Sequence, residues 1–349
     1  MNIPLGISGF YDLALRNART GMVTQLGRVH NLITDSGFDA PARYAFAKCF
    51  EVVAVGTGRT AAKVTDTKLE AFVAKSITYA TGGSTINGVN FPNAATNDYT
   101  VRELFRTFLA YQNRSGAAVS IGELGVSWEN VDNPTLFSRI VLTDAVSVPD
   151  GFDLLVRYTL RLQLPKDIFR TWKTTTLRIG SVDVAGKLTM AAYYYKNDSP
   201  MYFGLSCINA DGTSANVITG TGTDAGRAHP YFGLLEPSAI GNGIACGIDQ
   251  RVSDDATYCA YVENLMGGAL QSYTAGSGNV VKRFTFPASK LTGRTDLRTL
   301  AVGHNGGGNT LSDGNNAYSH QIRFQADAVF TKAATVQWDI DLTLTWARA

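Results

Sequence analysis

Two glycine-rich turns are the first places where this sequence could bind a ligand, because closely spaced glycines can let backbone N–H groups surround a phosphate. They are Gly56-Thr57-Gly58 and Gly306-Gly307-Gly308. A phosphate-binding loop also needs a Lys-Ser/Thr pair and a following helix, and neither turn has these. Gly56-Thr57-Gly58 is therefore predicted to be a hairpin turn.

Residue types that bind metals or carry out catalysis are scattered along the chain. The four histidines are isolated in sequence and lack metal-ligand spacing; they are His30, His229, His304 and His320. We expect His304 and His320 to approach each other across the base of a glycine-rich loop, as strand-end residues and not as ligands.

Other catalytic and metal-binding patterns are incomplete. Calcium prefers loop carboxylates and amides such as those of Asp254-Asp255 or Asp313 with Asn315 and Asn316, but the EF-hand spacing is missing. The sequence has no Gly-x-Ser-x-Gly elbow for a serine nucleophile. An acidic pair for glycoside hydrolysis, brought together only by the fold, stays open. We therefore expect no catalytic residue, no metal site and no cofactor, and predict that the protein is not an enzyme.

One aromatic-rich stretch is a candidate binding site. Exposed aromatic rings can form a platform for carbohydrate, whereas strand-borne aromatics more often pack in a core. Core packing is the favoured interpretation, and a glycan or interface site is the alternative. The residues concerned are Tyr193, Tyr194, Tyr195, Tyr202 and Phe203.

The charge balance points away from nucleic acid and towards assembly. The chain of 349 residues has 31 basic and 29 acidic residues, a net charge of +2, so it lacks a basic footprint for nucleic acid. Charged residues make up only 17% of the chain, below the usual quarter or so. Such a surface is tolerable where neighbouring subunits cover it, which indicates self-association in a ring or trimer.

The cysteines, the N-terminus and the apolar runs indicate the cellular compartment in which the protein is made. The four cysteines, Cys49, Cys207, Cys246 and Cys259, lie far apart and form no zinc motif. Cys49 and Cys207 are predicted to be buried, and a Cys246–Cys259 disulfide is left open. The N-terminus does not resemble a signal peptide, and no apolar run approaches the roughly 18 residues of a membrane helix. We expect a protein made in the cytoplasm with no membrane partner.

The elements that must position these residues are predicted to be strands. Strand-like runs joined by Gly, Asn and Asp turns favour an all-β fold, an antiparallel sandwich or a barrel-like structure, with long Gly-rich loops. Residues 154–164 and 336–346 show the clearest alternation of apolar and polar side chains. Further strands are predicted at 45–55, 119–128, 136–142, 177–184, 187–195, 201–208, 244–248, 256–262, 270–273, 280–286 and 321–330.

Three segments are ambiguous or non-β. Residues 100–111 have a Thr100/Glu103 capping box and a helical apolar face, but their context favours a strand. Residues 65–73 fit either one capped helical turn or an extended segment. A short helix is predicted from Tyr11 to Leu26, within a loosely attached N-terminal arm.

The chain divides into three predicted parts. They are the arm (1–30), a β-domain (31–165) and a second β lobe (166–349), with one continuous β-domain as the alternative to the last two. The arm and the loops 209–227 and 303–318 are the predicted interaction surfaces.

Several short motifs resemble a family of tailed-bacteriophage structural proteins. The family pattern begins N-L-I-x-D-x-G, V-G-T-G and T-D-T-x-L, here Asn31–Gly37, Val55–Gly58 and Thr65–Leu69. It continues E-x-G-x-x-W, L-F-S-R-x-x-L and G-x-x-L-x-V-x-Y-x-L, here Glu123–Trp128, Leu136–Leu142 and Gly151–Leu160. The final alternating strand is also similar, whereas residues 166–320 carry no family motif.

The resemblance implies a virion protein of the tail, tail tip or neck, with fibre attachment among its roles. Its partners would be copies of itself and other phage tail or neck proteins, and its location the virion. Two alternatives remain at this point. The protein could be a host-surface carbohydrate-binding protein that uses the tyrosine-rich stretch, or a tail-associated glycan depolymerase.

Overall fold

The structure is a computed structural model in which most of the chain is described. It describes residues 2–44, 46–80, 87–92, 99–163, 173–196, 199–203, 207–208, 244–249, 263–266, 269–289, 297–305, 318–333 and 335–349. Strands account for 60% of the structure and helices for 5%, so the predicted all-β class is confirmed. The sheets curl into a half-barrel.

The strands are numbered in chain order. They are β1 Asn2–Asn17, β2 Val23–His30, β3 Leu32–Ile33, β4 Val52–Gly56, β5 Phe72–Ser76, β6 Asn87–Pro92, β7 Tyr99–Gln112, β8 Val119–Ser127, β9 Ser138–Val148, β10 Phe152–Gln163, β11 Lys173–Ile179, β12 Val182–Lys196, β13 Ser199–Phe203, β14 Cys207–Ile208, β15 Ile244–Asp249, β16 Glu263–Met266, β17 Ala269–Leu270, β18 Asn279–Phe286, β19 Leu297–Asn305, β20 Tyr318–Phe330 and β21 Trp338–Arg348. The helical elements are α1 Asp35–Asp39 and two 3-10 turns, Ala40–Ala42 and Phe46–Lys48.

Three sheets contain these strands. The first has the order β17-β18-β21-β1-β10-β7-β6, with β2 also paired to β1. The second is β3-β9-β8-β4-β5, and the third is β14-β13-β12-β20-β19-β15-β16, with β11 paired to β12. Buried residues of all three sheets contribute to one large hydrophobic cluster, and Ala54, Leu69 and Leu136 form a small second one. The first sheet draws strands from each of the three predicted parts of the chain.

The N-terminal segment is a central part of the first sheet, so the predicted helix and loose arm are both wrong. β1 pairs with β10 along residues 6–17, with β21 in parallel along residues 2–7, and with β2 along residues 10–16. Its alternate side chains are buried, including Leu5, Ile7, Tyr11 and Leu13. Apolar residues two apart fit a half-buried strand, and pairing on both sides stabilises it.

β7 resolves the ambiguity at residues 100–111 in favour of a strand. Leu104, Arg106, Phe108 and Ala110 are buried at every second position, whereas a helix would bury positions three or four apart. β7 is paired to β10 and to β6, so its backbone groups are satisfied by the sheet. The tertiary context therefore overrides the local capping signal.

The second sheet corrects two local predictions and resolves a third that was left open. The strand predicted from residue 45 begins only at Val52, after a 3-10 turn at Phe46–Lys48. Gly56-Thr57-Gly58 is not a hairpin turn, because residues 57–71 form a long connection between the paired strands β4 and β5. Residues 65–71 form no helix, and the segment ends in β5.

The third sheet corrects the strand predicted at 177–184. That segment consists of the end of β11, a tight turn and the start of β12, in which Ile179 pairs with Val182 and Gly180 adopts a φ of 58°. A positive φ is readily available only to glycine, so Gly180 permits the turn. The predicted loop 209–227 lies outside the described residues, as do 306–317 of the predicted loop 303–318 and the predicted strand 256–262.

The alternation predicted for the C-terminal strand is confirmed. The inward row of β21 is almost fully buried and consists of Trp338, Ile340, Leu342, Leu344 and Trp346. Val336, the first residue of the predicted apolar row, is 39% exposed and precedes the strand. β21 pairs with β18 on one side and with β1 on the other, so it lies inside the first sheet.

Candidate functional site

The tyrosine-rich stretch lies on two paired strands. β12 and β13 pair with Tyr193 opposite Tyr202 and Ala192 opposite Phe203. The side chains of Tyr193, Tyr194, Tyr195, Tyr202 and Phe203 fall outside the described part of the structure. The glycan or interface site proposed there stays a prediction.

The candidate metal-binding residues are only partly described. His304 and His320 are directly opposite each other in the β19–β20 pair, which confirms their expected approach. His30 lies at the end of β2 with its ring 6.2 Å from that of Phe10. His229, Asp254-Asp255 and the Asp313 group fall in undescribed segments. Among the residues that the structure does describe, no three potential metal ligands cluster together.

Five of the motifs that carry the sequence resemblance lie in or beside the second sheet, whereas Gly151–Leu160 and the final alternating strand belong to β10 and β21 of the first sheet. β3, from the first motif, pairs with β9 through Leu32 opposite Arg139 and Ile33 opposite Ser138. Thr34 then caps α1: its hydroxyl accepts a hydrogen bond from Gly37 N and donates one to the carbonyl of Leu136. Segments about a hundred residues apart in sequence are therefore joined by backbone and side-chain bonds.

Gly37, the last residue of the first motif, lies where a side chain has no space. A Cβ atom at this position would overlap the backbone carbonyl of Phe137. The helix α1 is thus packed directly against the backbone of the segment that leads into β9. The same segment contributes Phe137, which is fully buried in the main cluster.

Glu123 is the centre of the second group of contacts. Its side chain is fully buried and accepts hydrogen bonds from the backbone N–H groups of Gly58, Glu70 and Ala71, at 3.2, 3.1 and 2.7 Å. These donors lie at the two ends of the loop between β4 and β5. The carboxylate therefore holds both ends of the loop on β8.

Arg139 supplies the charge that compensates Glu123. Its Nε and Nη2 atoms donate to Glu123 Oε2 at 2.9 and 2.8 Å. Its Nη1 atom donates to Asp66 Oδ2 at 2.5 Å, and Nη2 also reaches the carbonyl of Thr60 at 3.2 Å. Burial lowers the pKa of Arg139, but hydrogen bonds to Asp66 and Glu123 outweigh it, so the pKa is raised overall.

We call this arrangement the Glu123–Arg139 centre: Glu123, Arg139, Asp66 and the backbone of Gly58, Glu70 and Ala71. Gly58 is required sterically, because a Cβ atom there would collide with the carboxylate of Glu123. Both Glu123 oxygens already accept hydrogen bonds, and the side chain is closed to solvent. The centre therefore positions a loop and offers no free base for catalysis.

Sequence analysis did not single out Glu123 and Arg139 as partners. The sequence nevertheless contains a signal for a buried ion pair, because each is an ionisable residue within a mostly apolar strand segment. These segments are Ile121–Val126 and Leu136–Leu142. Such residues are rarely buried unless they are paired. The register of β8 and β9 places them near each other, with Glu123 opposite Val141 and Gly125 opposite Arg139.

A buried tyrosine pair lies between the first and second sheets. Tyr11 donates to or accepts from Ser138 Oγ at 2.8 Å, and Asn31 Nδ2 donates to Tyr158 OH at 3.1 Å. Burial raises the pKa of both phenols. The two ring centres are 4.9 Å apart, so Tyr11 and Tyr158 pack as core residues. The hydroxyl of Tyr11 connects β1 to β9, and that of Tyr158 connects β10 to Asn31.

A third set of contacts joins α1 to the C-terminal half of the chain. Tyr273 OH donates to Asp39 Oδ1 at 2.5 Å, and its ring is stacked on Trp346 at 6.0 Å. Trp346 Nε1 donates to the carbonyl of Phe38 at 2.7 Å. Burial of the phenol, together with Asp39, raises the pKa of Tyr273 to about 12.

This pKa predicts an alkaline effect on stability. Since the pKa of Tyr273 is raised on folding, its hydrogen bond stabilises the fold fully below about pH 10 and is lost as the pH rises through about 12. Tyr273→Phe should lower the free energy of unfolding by about 1 kcal/mol at pH 8. The difference from the wild type should shrink when urea unfolding is repeated at increasing pH above 10.

Tyr44→Phe is the matched control for this effect. Tyr44 stacks on Trp128 at 5.6 Å, and within the described structure its hydroxyl has no hydrogen-bond partner. Its removal should change stability little at any pH. A Tyr273→Phe deficit that stays constant from pH 8 to pH 12 would contradict the assignment.

Comparisons with protein-family models, with curated proteins and with solved structures gave no match. Within the described part of the chain, no helix has the length and apolar character needed to span a membrane.

Proposed function

We propose that this protein is a structural component of a tailed-phage virion, located in the tail, tail tip or neck, where fibre attachment is one of its roles. In this role it acts through its surfaces and not through catalysis. Copies of the chain assemble with one another and with other tail or neck proteins. The motif resemblance and the low surface charge motivate this proposal.

One structural observation supports it most strongly. Residues from five of the motifs are used internally. The Glu123–Arg139 centre holds the loop between β4 and β5 on the second sheet, and the Gly37–Phe137 contact packs α1 against the segment before β9. Such an arrangement favours a rigid scaffold whose function lies on its outer surface. Large apolar side chains are exposed on that surface, among them Met22 at 64% and Val182 at 59%. Met22 is next to the exposed Val23 in sequence, and Val182 lies with the exposed Val329 around one groove, and grouped apolar side chains of this kind are typical of protein contacts.

The test locates the protein and measures its assembly state. We expect mass spectrometry of purified particles to detect the protein, and cryo-EM to place several copies in the tail or neck. The purified chain should be oligomeric by analytical ultracentrifugation. A chain that is monomeric at all concentrations and missing from purified particles would refute the proposal.

A further inference from the structure

The outer face of the first sheet carries rows of side chains that cross four strands. This face is opposite the one that buries Tyr11 and Leu13. The strand registers define three neighbouring rows, each written in the order β2, β1, β10, β7. The rows are Gln25–Ala14–Leu155–Leu109, Arg28–Asp12–Arg157–Thr107 and His30–Phe10–Thr159–Phe105.

Arg28 and Arg157 of the second row extend towards the third row, which contains Phe10 and Phe105. The guanidinium carbon of Arg28 lies 3.9 Å from the ring centre of Phe10, and that of Arg157 lies 3.6 Å from the ring centre of Phe105. Such cation–π contacts hold a guanidinium flat on a ring. Both arginines extend away from the first row, which contains Ala14 and Leu155. A groove of about 420 Å³ therefore lies above that row.

We call this the basic groove; its lining residues include Ala14, Val23, Gln25, Arg28, Leu155 and Arg157. Arg28 is neutralised by Asp12, with Nε–Oδ1 and Nη2–Oδ2 distances of 2.7 and 3.1 Å. Arg157 differs: among the described residues no carboxylate pairs with it, and its buried Nε atom has no hydrogen-bond acceptor. The groove therefore has an uncompensated positive charge above an apolar floor.

Exposed apolar side chains border the groove on the β1–β2 hairpin. Val23 is 46% exposed and Leu26 is 42% exposed. β2 pairs only with β1 among the described strands, and nearly all of its residues are exposed. β2 is therefore an edge strand of the first sheet, and a free strand edge favours contact with another chain.

A second surface of the same chain has the opposite character. It lies where the β11–β12 turn meets the end of β20, around a groove of about 350 Å³. Val182 and Val329 are 59% and 51% exposed. Asp327 is exposed and, within the described structure, has no cationic partner, whereas Asp183 pairs with Arg178 at 2.9 Å. We call these residues, Val182, Asp183, Asp327 and Val329, the acidic patch.

We propose that the basic groove of one copy binds the acidic patch of the next copy, with Arg157 paired to Asp327. Val182 and Val329 would then cover the apolar floor formed by Ala14 and Leu155. This contact rests on the self-assembly in the proposed function and specifies its two surfaces. Opposite charges and exposed apolar side chains make the surfaces complementary. Because they are different parts of one chain, the contact is head-to-tail, and such contacts close into a ring when the rotation permits.

The decisive experiment reverses the two charges, singly and together. Arg157→Glu and Asp327→Arg should each weaken association of the full chain by about tenfold or more. The double variant should associate nearly as well as the wild type, because the pair is restored with opposite polarity. Association is measured by analytical ultracentrifugation over a concentration series, with circular dichroism to verify folding.

Two further variants test whether a loss of association comes from the proposed contact or from the change in net charge. Arg43→Glu makes the same charge change at an exposed position outside both surfaces and should leave association unchanged. Val329→Gln removes apolar character without changing charge, and it should weaken association. Val329 is exposed, so this variant keeps the proposal testable if a charge reversal disturbs folding.

The outcomes distinguish this inference from the proposed function. An oligomer that persists in both single reversals, or that the double variant does not restore, overturns the groove–patch contact while self-assembly stands. A monomeric wild-type chain found in purified particles overturns the contact and leaves the virion role in place. Only a monomeric chain missing from those particles contradicts both.

Discussion

Replacing Arg139 by methionine is expected to lower the free energy of unfolding by about 3–5 kcal/mol, because it leaves a buried carboxylate without its cation. Glu123 is fully buried, and Arg139 is 3% exposed. The substitution also removes the partner of Asp66 and the bond to the Thr60 carbonyl. Urea unfolding monitored by tryptophan fluorescence measures the loss.

The contribution of the charge itself is isolated by a double variant and a control. Glu123→Leu with Arg139→Met removes both charges, so it should be less destabilised than Arg139→Met alone if the unpaired carboxylate is the main cost. Arg178→Met breaks an ion pair whose side chains are 62% and 60% exposed, and it should cost at most about 1 kcal/mol. Equal losses in Arg139→Met and Arg178→Met would show that the buried centre has no special role.

Replacing Gly37 by alanine is expected to destabilise the fold by about 3 kcal/mol or more, since the added methyl group has no space. It would overlap the backbone of Phe137, which cannot rotate away as a flexible side chain could. Either α1 or the segment before β9 must move, and the Thr34 hydrogen bonds to Leu136 and Gly37 would be strained with it. The thermal midpoint and the soluble yield report the effect.

Ser36→Ala is the matched control for Gly37→Ala. It changes the neighbouring residue of the same helix, at a half-buried position without the backbone contact. Its stability should stay within about 0.5 kcal/mol of the wild type. If Gly37→Ala melted at the same temperature as Ser36→Ala, the close approach of α1 to Phe137 would be refuted.

Local patterns were sufficient where one face of a strand is buried along its whole length. The alternation in β10 and β21 predicts both strands and their inward residues, because a period of two matches the geometry of a pleated strand. The same alternation predicts a strand at Val280–Phe286, which lies in β18. The turn at Val148–Gly151 joins β9 to β10 as the Pro-Asp-Gly sequence indicates.

Local patterns failed where distant pairing decides the conformation. The helix predicted from Tyr11 to Leu26 is wrong, because β1 pairs with β10 on one side and with β21 and β2 on the other. In β7, the Thr100/Glu103 capping signal was outweighed by pairing with β10. Tertiary contacts of this kind supply backbone hydrogen bonds that local propensity cannot anticipate.

The sequence alone determined the all-β class, the strands with strict alternation and the set of motifs that carry the phage resemblance. Only the tertiary structure decided how those motifs are used. Asp66 and Arg139 are 73 positions apart and meet across the loop between β4 and β5, while Asp12 and Arg157 are aligned by the pairing of β1 and β10. The physical reason is that burial, charge compensation and close backbone approach depend on residues brought together by sheet register, which short-range spacing does not encode.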